Sequence, residues 1–345
     1  MTKGVDSFYQ QLISVSQSLP VAKALSGEWP FEVWRERLTG KVYEALGAFP
    51  DNLPPLDLQI GNGQKLEGLT RYNVSYNSEP GLTVPGYLLI PEGIKPGEKL
   101  PAVVALNGHG YGVRAIVGLE SDDSERRTPE YQADFALALC RHGLVVIAPE
   151  LFGFGDLRLS SEFDDDPGHS SCDRLSSALW MVGRSMGGVR VLQAMRALSC
   201  LESVPAADTA RVGAMGISGG GLVTTFFAAL DPRVKAAVVS GYACTFEASI
   251  LGVHHCVDNY FYGLQNVAEM YDILSLIAPR PMLWEAGTQD PIFPIHAVRE
   301  AEATVRQVYA HLRKPDLFDV DIFEGEHRIS GAKSYSFLKE SLSAL

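Results

Sequence analysis

From Pro101 onward, short apolar runs alternate with longer stretches of helical apolar spacing, and this cadence limits the folds open to the chain more than any other feature. The order is PAVVALNG, YQADFALALCRHG, LVVIAPE, VRVLQAMRALSCL, RVGAMGI, LVTTFFAAL and VKAAVVSG. The short runs suit strands buried on both faces, and the segments between them supply crossover helices. After a loop-rich stretch at 242–263 the alternation resumes with PMLWEAG, HAVREAEATVRQVYAHL, LFDVDIF and SYSFLKESLSAL. The pattern predicts an α/β fold whose sheet has about eight mostly parallel strands, with helices on both faces.

Ahead of this core, LTRYNVSYN and LTVPGYLLIPEG flank the turn-rich Ser78-Glu79-Pro80-Gly81, which predicts an antiparallel hairpin at a sheet edge. In the first sixty residues, Phe31, Trp34, Leu38, Val42 and Leu46 recur at helical spacing. We expect residues 1–60 to form a helical arm and residues 61–345 the catalytic domain. The 46% hydrophobic content over 345 residues supports a large core. A net charge of −12 speaks against a nucleic-acid backbone or an anionic membrane as partner and leaves small molecules open. The start MTKGVDSFYQQLISVSQSLP has no sustained apolar segment, so a cytoplasmic location is expected.

Chemistry first shows at Gly216-Ile217-Ser218-Gly219-Gly220, a G-x-S-x-G sequence where RVGAMGI gives way to a helical pattern. A nucleophile at such a junction needs a sharp strand-to-helix turn, with small residues two positions either side. Gly183-Arg184-Ser185-Met186-Gly187 matches as well. If ALWMVG were its strand, the connection back to LVVIAPE would run through 151–177, which has no helical period, whereas parallel neighbours need a crossover, usually helical. Ser218 is therefore preferred.

A serine hydroxyl needs a base, and the base needs an acid to fix its tautomer. Asp290 follows PMLWEAG in the loop GTQDPIFP, and His327 follows LFDVDIF in the loop EGEHRIS. Both lie past strand carboxyl ends, in the chain order Ser, acid, His. Glu324 and Glu326 are rival acids in the histidine's own loop. For the oxyanion, Gly219 offers the N–H after the nucleophile, and the backbone N–H of His109, in Asn107-Gly108-His109-Gly110, offers the second. The five cysteines show no CxxC spacing, and His254-His255-Cys256 lacks a third ligand at compatible spacing, so neither metal nor organic cofactor is expected. Segments 157–182 and 242–263 are expected to line the pocket.

On these residues the chain resembles the α/β-hydrolase superfamily, in its dienelactone-hydrolase-like and acetyl xylan esterase-related branch, over roughly residues 30–345. The motifs that carry the resemblance are the GISGGG elbow, APRP at 278–281, GTQDPIFP, and PELFGFGD after the second parallel strand. It implies hydrolysis of a small-molecule, short-acyl, even acetyl, carboxylic ester by Ser218, His327 and Asp290. Two positions depart from the family: Asn107 stands where many relatives have histidine, and the nucleophile is serine where dienelactone hydrolases proper use cysteine. A peptidase or acyltransferase would use the same triad, and a non-catalytic binding protein would keep the same fold.

Overall fold

A computed structural model describes residues 4–163 and 166–345. Three helices come first: α1 (Val5–Ile13), α2 (Val21–Leu25) and α3 (Phe31–Leu46). The buried residues of α3 are Phe31, Trp34, Leu38, Val42 and Leu46, the stripe whose spacing predicts the helix. Burying each contributes roughly 2 kcal/mol through the apolar area removed from water. Polar ties fix where these helices sit: Trp34 Nε1 donates to Leu19 O at 2.9 Å, Val21 N to Asp272 Oδ1 at 2.8 Å, and Arg35 Nη2 to Ala278 O at 2.8 Å.

The strands are β1 (Gln59–Leu66), β2 (Leu69–Glu79), β3 (Leu82–Pro91), β4 (Leu100–Leu106), β5 (Val145–Pro149), β6 (Ala207–Ile217), β7 (Val234–Ser240), β8 (Met282–Gly287) and β9 (Phe318–Phe323). They form one nine-stranded sheet in the order β1-β2-β3-β5-β4-β6-β7-β8-β9. The strands from β5 to β9 in that order are mutually parallel, and β1, β2 and β3 make an antiparallel edge. The hairpin stands as expected, turning at Pro80-Gly81 with Gly81 at φ +81°. The sheet has one strand more than the expected eight or so. β1, QIGNGQKL, is exposed over all but its last residue, so it has no apolar alternation and joins the sheet through backbone pairing to β2.

The remaining helices are α4 (Phe135–Arg141), α5 (Cys172–Met181), α6 (Met186–Cys200), α7 (Gly219–Leu230), α8 (Met270–Ser275), α9 (Ile295–His311) and α10 (Ser334–Ser343). Because strand side chains alternate, Val104, Ile147, Ala214, Val239 and Trp284 enter the core shared with α3, α6, α7, α8 and α9. Val103, Val146, Met215, Val238 and Leu283 enter the opposite core, with α4 and α10. Burial on both faces explains why the strands read as continuous apolar runs. No helix among the described residues is long and apolar enough to cross a membrane.

Candidate active site

Ser218 sits between β6 and α7 with φ 57° and ψ −120°, a conformation that an L-residue holds only when its surroundings enforce it. The enforcement is visible. A Cβ on Gly220 would come within 2.0 Å of Leu106 O, and one on Gly216 within 2.3 Å of Gly220 O. Both glycines are therefore required by close backbone approach. Ser218 N donates to Ser240 O at 3.0 Å, which ties the turn to β7. Ser218 lies at the end of the sheet where β4, β8 and β9 also finish, and the residue is 9% exposed.

Asp290 and His327 come from the loops after β8 and β9 and meet there: His327 Nδ1 lies 2.6 Å from Asp290 Oδ2. The other carboxylate oxygen accepts from Ile292 N at 3.0 Å and Phe293 N at 3.1 Å, so the acid's orientation is fixed by its own loop. The imidazole lies between the rings of Tyr131 and Phe293, at centroid distances of 5.8 and 5.6 Å. Gly241 leaves room for it, since a Cβ there would fall 2.9 Å from His327 Cε1. His327 Nε2 is buried and hydrogen-bonds to nothing among the described residues. Glu285, buried in β8, holds the histidine loop from below by accepting from Ser240 Oγ at 2.7 Å and Gly331 N at 2.9 Å. Glu324 and Glu326 are exposed and form no ion pair among the described residues.

The loop after β4 lies against the elbow, with the His109 ring 3.1 Å from where a Cβ on Gly219 would stand. Neither His109 N nor Gly219 N donates a hydrogen bond among the described residues, and Gly219, as the first residue of α7, has no intrahelical acceptor. Residues that the sequence does not single out hold this loop. Gln132 Oε1 accepts from Gly108 N at 2.8 Å, and the Tyr131 hydroxyl donates to His109 O. Gly112 and Gly155 crowd Glu150, whose oxygens would lie 2.3 and 2.0 Å from added Cβ atoms, and burial raises that carboxyl to about 8. The His109 side chain turns away from the elbow's far side toward Asp258, with Nε2 to Oδ2 at 3.2 Å. Burial alone would lower its basicity, but the Asp258 charge outweighs that and raises it to about 9.

Ser185 has a different place. It caps α6: its Oγ accepts from Gly188 N at 3.0 Å and donates to Leu46 O at 2.7 Å. The apolar run before it is helix α5, not a strand. His255 is buried, its Nε2 3.0 Å from Ser249 Oγ and 3.2 Å from Ile292 O, under the Asp290 loop. The expected pocket segments do supply Trp180, Tyr260, Phe261 and Tyr262 to a cavity of about 550 Å³, but this cavity borders Ser185 and includes neither Ser218 nor His327. Their nearer contribution is Cys172, Cys256 and Asp258, which gather around His109. The spacing Cys256-x-Asp258 is the only trace of this group in the sequence, because His109 and Cys172 arrive from remote segments.

Comparison with known proteins gives a consistent picture. The sequence model of the dienelactone hydrolase family matches residues 85–325. A Bacillus subtilis (strain 168) protein named "Putative hydrolase YtaP" is 27% identical over 241 residues, covering 68% of this chain and 75% of its own. Among solved structures, a "putative acetyl xylan esterase" from Bacteroides fragilis NCTC 9343 superposes with a TM-score of 0.75 at 16% identity, over 94% of this chain and 83% of its own. A glucuronoyl esterase from Solibacter usitatus gives a TM-score of 0.64 at 15% identity, over 89% and 91%. At these identities the structural likeness shows a shared α/β-hydrolase fold.

Proposed function

Because the chain belongs to the dienelactone hydrolase family, we propose that it is a serine esterase that cleaves short-acyl carboxylic esters through Ser218, His327 and Asp290. The observation that carries this reading is the strained Ser218 backbone at a strand-to-helix turn, sharing one sheet end with a 2.6 Å His327–Asp290 pair. Strain of this kind has a cost of order 1–3 kcal/mol, and projecting a nucleophile toward substrate gives it a use.

In the proposed reaction Ser218 Oγ attacks the ester carbonyl carbon while His327 Nε2 takes the hydroxyl proton. Asp290 Oδ2 accepts from Nδ1–H, selecting the tautomer that leaves Nε2 free and stabilising the imidazolium. The amides of Gly219 and His109 hold the oxyanion. The imidazolium then protonates the leaving alkoxide, and water, deprotonated by the same base, releases the acid. The rings of Tyr131 and Phe293 pack on His327 and that of Phe154 on His109, and crowding of this kind favours a small acyl group. A solved structure of this fold named as a putative acetyl xylan esterase accords with a short acyl group. In this reading residues 1–60 are an arm and residues 61–345 the catalytic domain. Five unpaired cysteines suit a reducing, cytoplasmic setting.

The test is kcat/KM on p-nitrophenyl esters of rising acyl length. Acetate should be the best substrate, with a fall of at least about tenfold by octanoate, one methylene being worth ~1–3 kcal/mol in a fitted site. A preference for octanoate, or turnover of anilides alone, would refute the short-acyl esterase reading.

A further inference from the structure

We propose that His109, Cys172, Cys256 and Asp258 form a zinc site beside the oxyanion loop. This departs from the sequence-based expectation that no metal is held, and it does not depend on the ester-hydrolase reading.

The four donors come from the loop after β4, the first turn of α5, and the segment after β7, and their ligand atoms all lie within 4.8 Å of one another. In a tetrahedral zinc site, bonds of 2.0–2.2 Å to nitrogen and oxygen and 2.3 Å to sulfur put an imidazole nitrogen and a carboxylate oxygen ~3.4 Å apart, and a sulfur and an oxygen ~3.6 Å apart. Here His109 Nε2 and Asp258 Oδ2 are 3.2 Å apart, and Cys172 Sγ and Asp258 Oδ2 are 3.5 Å apart. Two edges of the tetrahedron are thus present already. The widest separation in the group has to close by ~1 Å.

The ring is also aimed into the cluster. His109 Nε2 is a buried atom that faces the Asp258 carboxylate without a hydrogen bond of good geometry, so an ion between the two would take the nitrogen's lone pair and meet the carboxylate charge. The surroundings supply the outer contacts that orient metal ligands. Asp258 Oδ1 accepts from Asn259 Nδ2 at 2.8 Å. Arg190 donates to Asp258 Oδ2 at 2.5 Å and to Cys172 Sγ at 3.2 Å, its guanidinium lying 4.2 Å from the Phe154 ring centroid. Charge also balances: two thiolates and a carboxylate meet one divalent ion and the Arg190 cation. Two sulfurs, one nitrogen and one oxygen at tetrahedral spacing favour zinc over hard cations such as magnesium or calcium.

Such an ion would join the oxyanion loop to α5 and to segment 256–258, making His109 a positioning residue through its side chain. The experiment measures metal content of the full chain, purified from zinc-supplemented culture and passed through metal-free buffer. About one zinc per chain is expected, falling below about a tenth in Cys172→Ser/Cys256→Ser. Cobalt(II) exchanged into the wild-type protein should show a sulfur-to-cobalt charge-transfer band and the intense visible bands of tetrahedral geometry. That readout does not require any variant to fold. His254→Gln, at an exposed neighbour, should keep the metal. The proposal is overturned if folded wild-type protein takes up less than about a tenth of an equivalent of zinc. Cobalt bound without the sulfur band, or a Cys172–Cys256 disulfide in the purified protein, overturns it equally.

Discussion

Ser218→Ala removes ester hydrolysis, with a loss on the order of 10⁶ in kcat, the scale seen when the nucleophile of a serine triad is deleted. Ser185→Ala, at the other G-x-S-x-G match, keeps most of the activity. The two serines look alike in sequence, and their backbones separate them. Ser185 is extended, at φ −122° and ψ 156°, and spends its hydroxyl on Gly188 N and Leu46 O, as a helix cap does. Removing that cap costs ~1 kcal/mol of stability. Ser218 makes no side-chain cap bond and stands in the strained turn. Rates on p-nitrophenyl acetate together with thermal melts of both variants check the pair. Equal loss of activity in two folded variants would leave Ser218 without its distinct role.

Asp290→Asn lowers kcat by about 10⁴, the size of the effect when the triad carboxylate becomes an amide. The two backbone amides of Ile292 and Phe293 demand an acceptor, so the asparagine oxygen must face them, 3.0 and 3.1 Å from where Asp290 Oδ1 lies. Its NH₂ group then faces His327 Nδ1, which has to accept. The proton moves to Nε2, and the base that Ser218 needs is lost. Glu326→Gln stays near the wild-type rate, because Glu326 is exposed. Steady-state kinetics with circular dichroism on both variants decides the acid; a crippled Glu326→Gln beside a normal Asp290→Asn would place it in the histidine's own loop.

The fold was legible wherever burial wrote itself into residue type. The strands β4 to β8 are covered on both faces, so each announces itself as an apolar run, and α3 shows its buried stripe at a period near 3.6. β1 escaped because its side chains face water and only its backbone is committed to the sheet. The run ALWMVG is short and apolar, and such runs do not distinguish strand from helix by periodicity; it belongs to the end of α5 and the turn after it. Asp290 and His327 could be located from the rule that sites gather at strand carboxyl ends. What stayed hidden is what three-dimensional approach alone creates: Tyr131 and Gln132 bracing the His109 loop, Glu285 beneath the His327 loop, and the convergence of His109, Cys172, Cys256 and Asp258. Side chains that meet from remote segments carry no shared spacing for a sequence reading to find.

Whether Ser218 is a nucleophile activated by His327 is tested most directly by active-site labelling. The folded wild-type protein, treated with a fluorophosphonate and digested, should carry one adduct, on the peptide containing Ser218, and Ser218→Ala should carry none. An adduct on the Ser185 peptide, or a folded protein that the reagent leaves unmodified, would contradict it.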